Sequence, residues 1–176
     1  MAEPQINYSN VSSTDLLELD NQLCFALHAA ARLVVRQYRL SLDELGLTHP
    51  QYLVLLVLWA WDREQMPTPT VHALGERLDL DSGTLTPLLK RLESRQLVTR
   101  TIPQHDRRER YIHLTEAGRA LRERAMHIPV SLLKKSPVPV SEIVQLRDQV
   151  NRLRAALAGE HELGQVHLPV QASSQG

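Results

Sequence analysis

Cysteine is almost missing from this chain of 176 residues, where Cys24 stands alone. A lone thiol excludes an intrachain disulfide framework and points to a reducing compartment, so the sequence reads as cytoplasmic. Surplus charge is missing too: 20 Lys and Arg balance 20 Asp and Glu, which argues neither for nor against an acidic partner. Long hydrophobic runs are absent. The stretch "YLVLLVLWAW" (52–61) is too short to cross a bilayer, and "MAEPQINYSN" lacks the basic segment and apolar run of an export signal, so no membrane partner is expected. The sequence also has no Gly-rich phosphate loop and no paired carboxylates beside a base, which leaves an enzyme reading without support and implies no cofactor. Internal repeats and low-complexity segments are absent as well.

What is present is enough apolar material, 43% of residues, for one compact domain or for a smaller domain with dimerising extensions. Charge is unevenly distributed. Residues 1–80 carry 5 Lys and Arg against 10 Asp and Glu, residues 81–124 carry 10 against 6, and residues 125–176 carry 5 against 4. The basic charge is concentrated in the middle third.

Periodicity predicts a mainly helical chain. From Leu16, the positions Leu19, Leu23, Ala26, Ala30 and Leu33 alternate steps of three and four, the seam of one long helix running towards Leu45 with Gly46 as its stop. "THPQYLVLLVLWAW" follows, apolar nearly all round and therefore central, with Pro50 tolerated in its first turn and Trp59 and Trp61 read as core or pocket lining. A short helix through Val71, Leu74 and Leu78 turns at 79–82 into "SGTLTPLLKRLESRQ", where Leu85, Leu88, Leu89 and Leu92 mark a buried face. The β-prone runs 97–103 and 110–115 flank "QHDRRE" and predict a hairpin with a charged tip. Thr115 caps the next helix. A proline-containing break over 127–139 leads to a last helix whose Ile143, Leu146, Val150, Leu153 and Leu157 form a second regular seam. The division that follows is dimerisation helices at 16–47 and 140–158, a DNA-binding domain at 48–126, a linker at 127–139, and loose ends at 1–15 and 159–176.

Helix, tight turn, amphipathic helix and basic-tipped hairpin, in that order, describe a winged helix-turn-helix, whose second helix fits the major groove of double-stranded DNA. Its outward residues are Ser82, Thr84 and Thr86 at the start and Lys90, Arg91 and Arg95 further along. Hydroxyls and N–H groups at a helix start suit phosphate oxygens. The hairpin tip adds Arg107, Arg108 and Arg110, cations suited to a narrow minor groove, with Asp106 orienting one of them. Pro87 is an anomaly that either bends this helix or makes it begin later than Ser82.

The strings "NQLCFAL", "LGLTHPQYLVLLVLW", "LDSGTLTPLLKRLE" and "LTEAGRALRE" carry a resemblance to the MarR family of transcriptional regulators, and within it to the organic-hydroperoxide-sensing OhrR-type subgroup, over about residues 16–158. The resemblance implies a homodimer whose first and last helices interlace, with two winged lobes on a palindromic operator. Asp106 and Arg108 fall on the family's Asp-x-Arg wing pattern, which implies that Arg108 is the minor-groove finger. Cys24 occupies the place of the peroxide-reactive cysteine, so the reduced protein would repress and oxidation would release it. Relatives of this kind surround that cysteine with three tyrosines; here Tyr38 is kept and His28 and His49 stand in the other two places.

For Cys24 three readings stand side by side: sensor, inert packing, or a metal site with His28 and His49. No standard metal-ligand spacing is present. A regulator answering to a small aromatic ligand or a metal near these residues is the alternative to a peroxide sensor. Tyr38 lies fourteen residues beyond Cys24, about 21 Å along a helix, so it reaches a cysteine only across a dimer. An oxidised Cys24 has no partner in its own chain, which leaves a low-molecular-weight thiol, an intersubunit link or over-oxidation.

Overall fold

The structure is a computed structural model that describes residues 17–102 and 109–159. Seven helices and one antiparallel hairpin are described: α1 (Leu23–Glu44), α2 (His49–Arg63), α3 (Val71–Leu78), α4 (Ser82–Ser94), β1 (Val98–Thr101), β2 (Tyr111–Leu114), α5 (Glu116–Ala125), α6 (His127–Lys135) and α7 (Val140–Leu157). The chain divides into two units, one up to Leu132 and one from Leu133. No described helix is long and apolar enough to cross a membrane.

The first unit is the winged lobe. Its core draws Leu42, Leu45 and Leu47 from the end of α1 and the following turn, Val54, Leu55 and Leu58 from α2, Leu74 from α3, and Leu85, Leu89 and Leu92 from α4. Each fully buried leucine contributes about 2 kcal/mol over an exposed one. The all-round apolar α2 is central as its sequence requires: Trp59 is buried and its Nε1–H donates to the Gly118 carbonyl at 2.8 Å. Gly118 has no room for a side chain, since a Cβ would stand 2.1 Å from the Leu97 carbonyl oxygen.

Helix ends follow local chemistry. Gly46, at φ +65, stops α1, as expected. Thr70 caps α3 by accepting from Ala73 N–H at 3.1 Å, and Thr115 caps α5 by accepting from Gly118 N–H at 3.0 Å. Asp79, at φ 53, ends α3, and the Leu80 N–H returns to the Gly75 carbonyl at 2.9 Å, making the tight turn into α4. The hairpin pairs Val98 with Leu114 and Thr101 with Tyr111, and Thr70 bridges Tyr111 as an unforeseen third edge.

Two expectations need correction. The first helix starts at Leu23, not Leu16: a single 3₁₀ turn covers Leu19–Asn21, and the extended backbone of Gln22 separates it from α1. The stretch 127–139, read as a break, contains α6, because Pro129 is its third residue, where a missing N–H removes no intrahelical bond. In the second unit, α7 follows Pro139 and carries Ile143, Val150 and Leu153 half-buried, with Leu146 and Leu157 exposed.

Candidate nucleic-acid interface and thiol site

α4 presents two opposed faces. Leu85, Leu89 and Leu92 are buried, and Ser82, Thr84, Thr86, Pro87, Lys90 and Arg91 are exposed. The helix begins at Ser82 despite Pro87, which excludes the later start and leaves the Gly83 carbonyl without its α-helical donor. Asp81 is a residue the sequence reading missed, although an acidic side chain three residues before Thr84 was a visible cap pattern. It accepts from Thr84 N–H at 2.8 Å and from Thr84 Oγ1–H at 2.9 Å. Those hydrogen bonds hold its carboxyl below the usual carboxylate range. The start of α4 therefore already carries an anion, and Thr84 offers an incoming phosphate less than expected; Ser82 and Thr86 flank the cap.

Arg95 departs from the outward set. It is exposed, but its guanidinium donates to the carbonyls of Gly46 and Leu45, the latter at 2.9 Å, at the end of α1. That engagement directs its guanidinium to the end of α1. Arg100 of β1 was also missed: its Nε donates to Glu93 Oε2 at 2.9 Å, tying the wing to α4 and holding the Glu93 carboxyl below its usual range. Asp106, Arg107 and Arg108 lie outside the described residues, and Arg110 is placed just before β2 with its carbonyl accepting from Val71 N–H at 2.8 Å.

Cys24 is the second residue of α1 and is exposed. The first-turn N–H groups of a helix have no intrahelical acceptor, and the helix dipole places partial positive charge there. His28 follows one turn later and lines a groove of about 570 Å³ with Arg32, Val35, Arg39, Leu47 and His49. Tyr38 meets His49 edge-on at 5.3 Å and lies 5.9 Å from Tyr52, whose ring is 6.3 Å from Trp59. Burial lowers the pKa of His49 and raises that of Tyr38; burial, with Tyr38 adding to it, pushes Tyr52 up to about 12. At neutral pH His49 is thus a neutral imidazole rather than a cation.

The structure therefore pairs Tyr38 with His49 within one subunit, sets His28 and His49 along one groove, and leaves Cys24 and His28 at the start of α1, away from Tyr38. Among the described residues no three His, Cys, Asp or Glu side chains gather where a metal would be held. The first half of α1 lacks cover within its own unit: Leu23 is 58% exposed and Leu33 57%, whereas Leu42 is 1%.

The family described as transcriptional regulator SarA/Rot matches residues 36–124. The chain is 44% identical over 143 residues to the organic hydroperoxide resistance transcriptional regulator of Bacillus subtilis, spanning 81% of this chain and 94% of that one. It is similar to AbfR, of Staphylococcus epidermidis, solved in reduced form bound to DNA: 34% identity, TM-score 0.66, covering 82% of this chain and 98% of that one. Disulfide-formed AbfR matches at 35% identity and TM-score 0.56, over 80% of this chain and 95% of that one. A MarR-family regulator from Rhodococcus matches at 25% identity and TM-score 0.66, over 78% and 95%.

Proposed function

The chain belongs to the SarA/Rot family of transcriptional regulators, and from that membership we propose that it is a redox-sensing repressor whose reduced homodimer holds a palindromic operator until Cys24 is oxidised. The observation that carries this reading is the single thiol, exposed in the first turn of a helix whose apolar face is uncovered in its own unit. The names of the relatives support it, being a hydroperoxide resistance regulator and a protein solved both reduced on DNA and as a disulfide.

In the proposed step the Cys24 thiolate attacks one oxygen of an organic hydroperoxide. An S–O bond forms as the O–O bond breaks, sulfur is oxidised to sulfenic acid, and the peroxide leaves as an alcohol after protonation. Because the chain has no second cysteine, the sulfenic acid condenses with a small thiol or across the dimer and releases water. On DNA, Lys90 and Arg91 take phosphates, Ser82, Thr86 and Pro87 lie along the groove-facing side of α4, and Arg108, beside Asp106 and Arg107 at the wing tip, reaches the minor groove.

Operator binding by wild type and Cys24→Ser, with and without an organic hydroperoxide, tests the reading. The reduced forms should bind equally, and peroxide should release wild type alone. Equal release of both proteins overturns the sensor assignment.

A second reading is favoured by the groove itself, where Arg32 and Arg36 line an apolar floor of Val35, Leu42 and Leu47. There a small aromatic acid is the inducer, and release by that ligand survives Cys24→Ser.

A further inference from the structure

α1 is held to its lobe at one end. Its residues from Leu23 to Gln37 are mostly exposed, and anchoring begins at Tyr38 and is completed by Leu42, Leu45 and Leu47 in the core. Cys24 lies twenty residues before Glu44, about 30 Å along the helix. A displacement at the thiol end is thus a displacement of a long rigid arm about its C-terminal anchor.

Arg95 grips that anchor from α4. It is the residue immediately after the last turn of α4, and its guanidinium donates to the carbonyls of Leu45 and Gly46, two acceptors that the end of α1 leaves without intrahelical donors. Gly46 is suited to this twice over. Its φ of +65 is the left-handed stop of α1, and a Cβ built there would stand 3.0 Å from Arg95 Nη2. Leu42 and Leu45 share the lobe's core with the α4 leucines, and apolar burial is non-directional. Two directional hydrogen bonds from one planar guanidinium fix distance and angle together.

We infer that Arg95 is the positioning residue that transmits movement of α1 to α4, coupling the state of Cys24 to the setting of the DNA-facing helix. This rests on the proposed repressor function for its physiological trigger, and it replaces the phosphate contact expected of Arg95 from sequence. Allosteric couplings of this kind are reciprocal and typically span roughly 5- to 150-fold in affinity.

The experiment uses the full-length dimer as wild type, Arg95→Ala and Arg95→Lys, with thermal melts to show that each is folded. Cys24 is modified in one arm by an organic hydroperoxide and in another by a maleimide, which adds bulk to the thiol without peroxide chemistry. Operator affinity is measured across a salt series, and modification of Cys24 is followed by mass spectrometry. The expected result is that the variants are modified at the wild-type rate and bind in the reduced form with an unchanged salt slope. Their loss of affinity on modification should shrink by roughly tenfold in Arg95→Ala, and by less in Arg95→Lys, which keeps charge without the planar fork. A wild-type loss of affinity in Arg95→Ala overturns the inference, as does a salt slope reduced by about one unit, the mark of a phosphate contact. If peroxide leaves wild type bound but the maleimide releases it in an Arg95-dependent way, the peroxide reading fails and the coupling stands. If neither reagent alters wild-type affinity, α1 does not communicate with α4 and the coupling fails.

Discussion

His49 illustrates how one side chain's surroundings set its chemistry. It is the first residue of α2, half-buried against the edge of Tyr38, with Arg39 and Asp43 lining the same groove. Burial lowers its pKa below the ordinary 6.5. The unfolded chain therefore binds a proton at His49 that the folded chain resists. This residue's contribution to stability is full above about pH 6.5 and declines as pH falls through and below that value. Melting curves at pH 7.5 and 5.5 should show a lower Tm at 5.5, and His49→Gln should narrow the gap. An unchanged gap in the variant would place the titrating group elsewhere. The same neutrality bears on the thiol: if the partner subunit brings His49 near Cys24, it arrives at neutral pH as a hydrogen-bonding group rather than a counter-ion. A tyrosine in its place would likewise bond without charge.

At the scale of the element, α4 separates what a sequence pattern can reveal from what it cannot. The spacing of Leu85, Leu88, Leu89 and Leu92 made both the helix and its buried face legible, because period 3.6 is a direct consequence of helix geometry. Its outward cations give an expectation of their own. Lys90→Ala and Arg91→Ala should each weaken operator binding across all sequences and reduce the salt slope by about one unit. Binding titrations over a range of salt concentrations check this, and an unchanged slope in either variant removes that residue from the phosphate contacts. Arg95 looked like a third member of the set because type and spacing are local, whereas its acceptors at Leu45 and Gly46 lie some fifty residues back along the chain. The start of α1 was illegible for a related reason. Leu16 and Leu19 continue the apolar period, yet Gln22 is extended, and an apolar period does not report backbone angles. Pro129 misled in the opposite direction, since a proline means a break only beyond the first turn. Tyr38, His28 and His49 were picked out through resemblance; that His28 and His49 line one groove and that Tyr38 meets His49 edge-on depend on the α1–α2 corner, which no single-helix pattern encodes.

For the whole molecule, the distribution of exposed apolar residues argues for a second copy of the chain. Leu23, Leu33, Val34 and Leu40 on α1 stand uncovered in the first unit, and Val144, Leu146 and Leu157 on α7 stand uncovered in the second. Apolar side chains left to water on this scale mark an interaction face, and Leu23, Leu33, Leu146 and Leu157 among them lie on the seams whose regular three-four steps marked them in sequence as helix-packing faces. The lobe's own core, built on α2 and the α4 leucines, is complete without these residues. Breaking the seam should therefore dissociate copies without unfolding the lobe. Leu33→Glu and Leu146→Glu, singly and together, should shift the protein from dimer to monomer in sedimentation velocity while far-UV circular dichroism keeps its helical signal. Operator affinity should fall by roughly a hundredfold or more, because a monomer engages one half-site and loses the effective-concentration advantage of the second. A double variant that remains dimeric would move the interface off these helices. One that is monomeric yet binds the full operator as tightly as wild type would remove the need for a dimer, and with it the route by which a thiol at the end of α1 bears on two recognition helices at once.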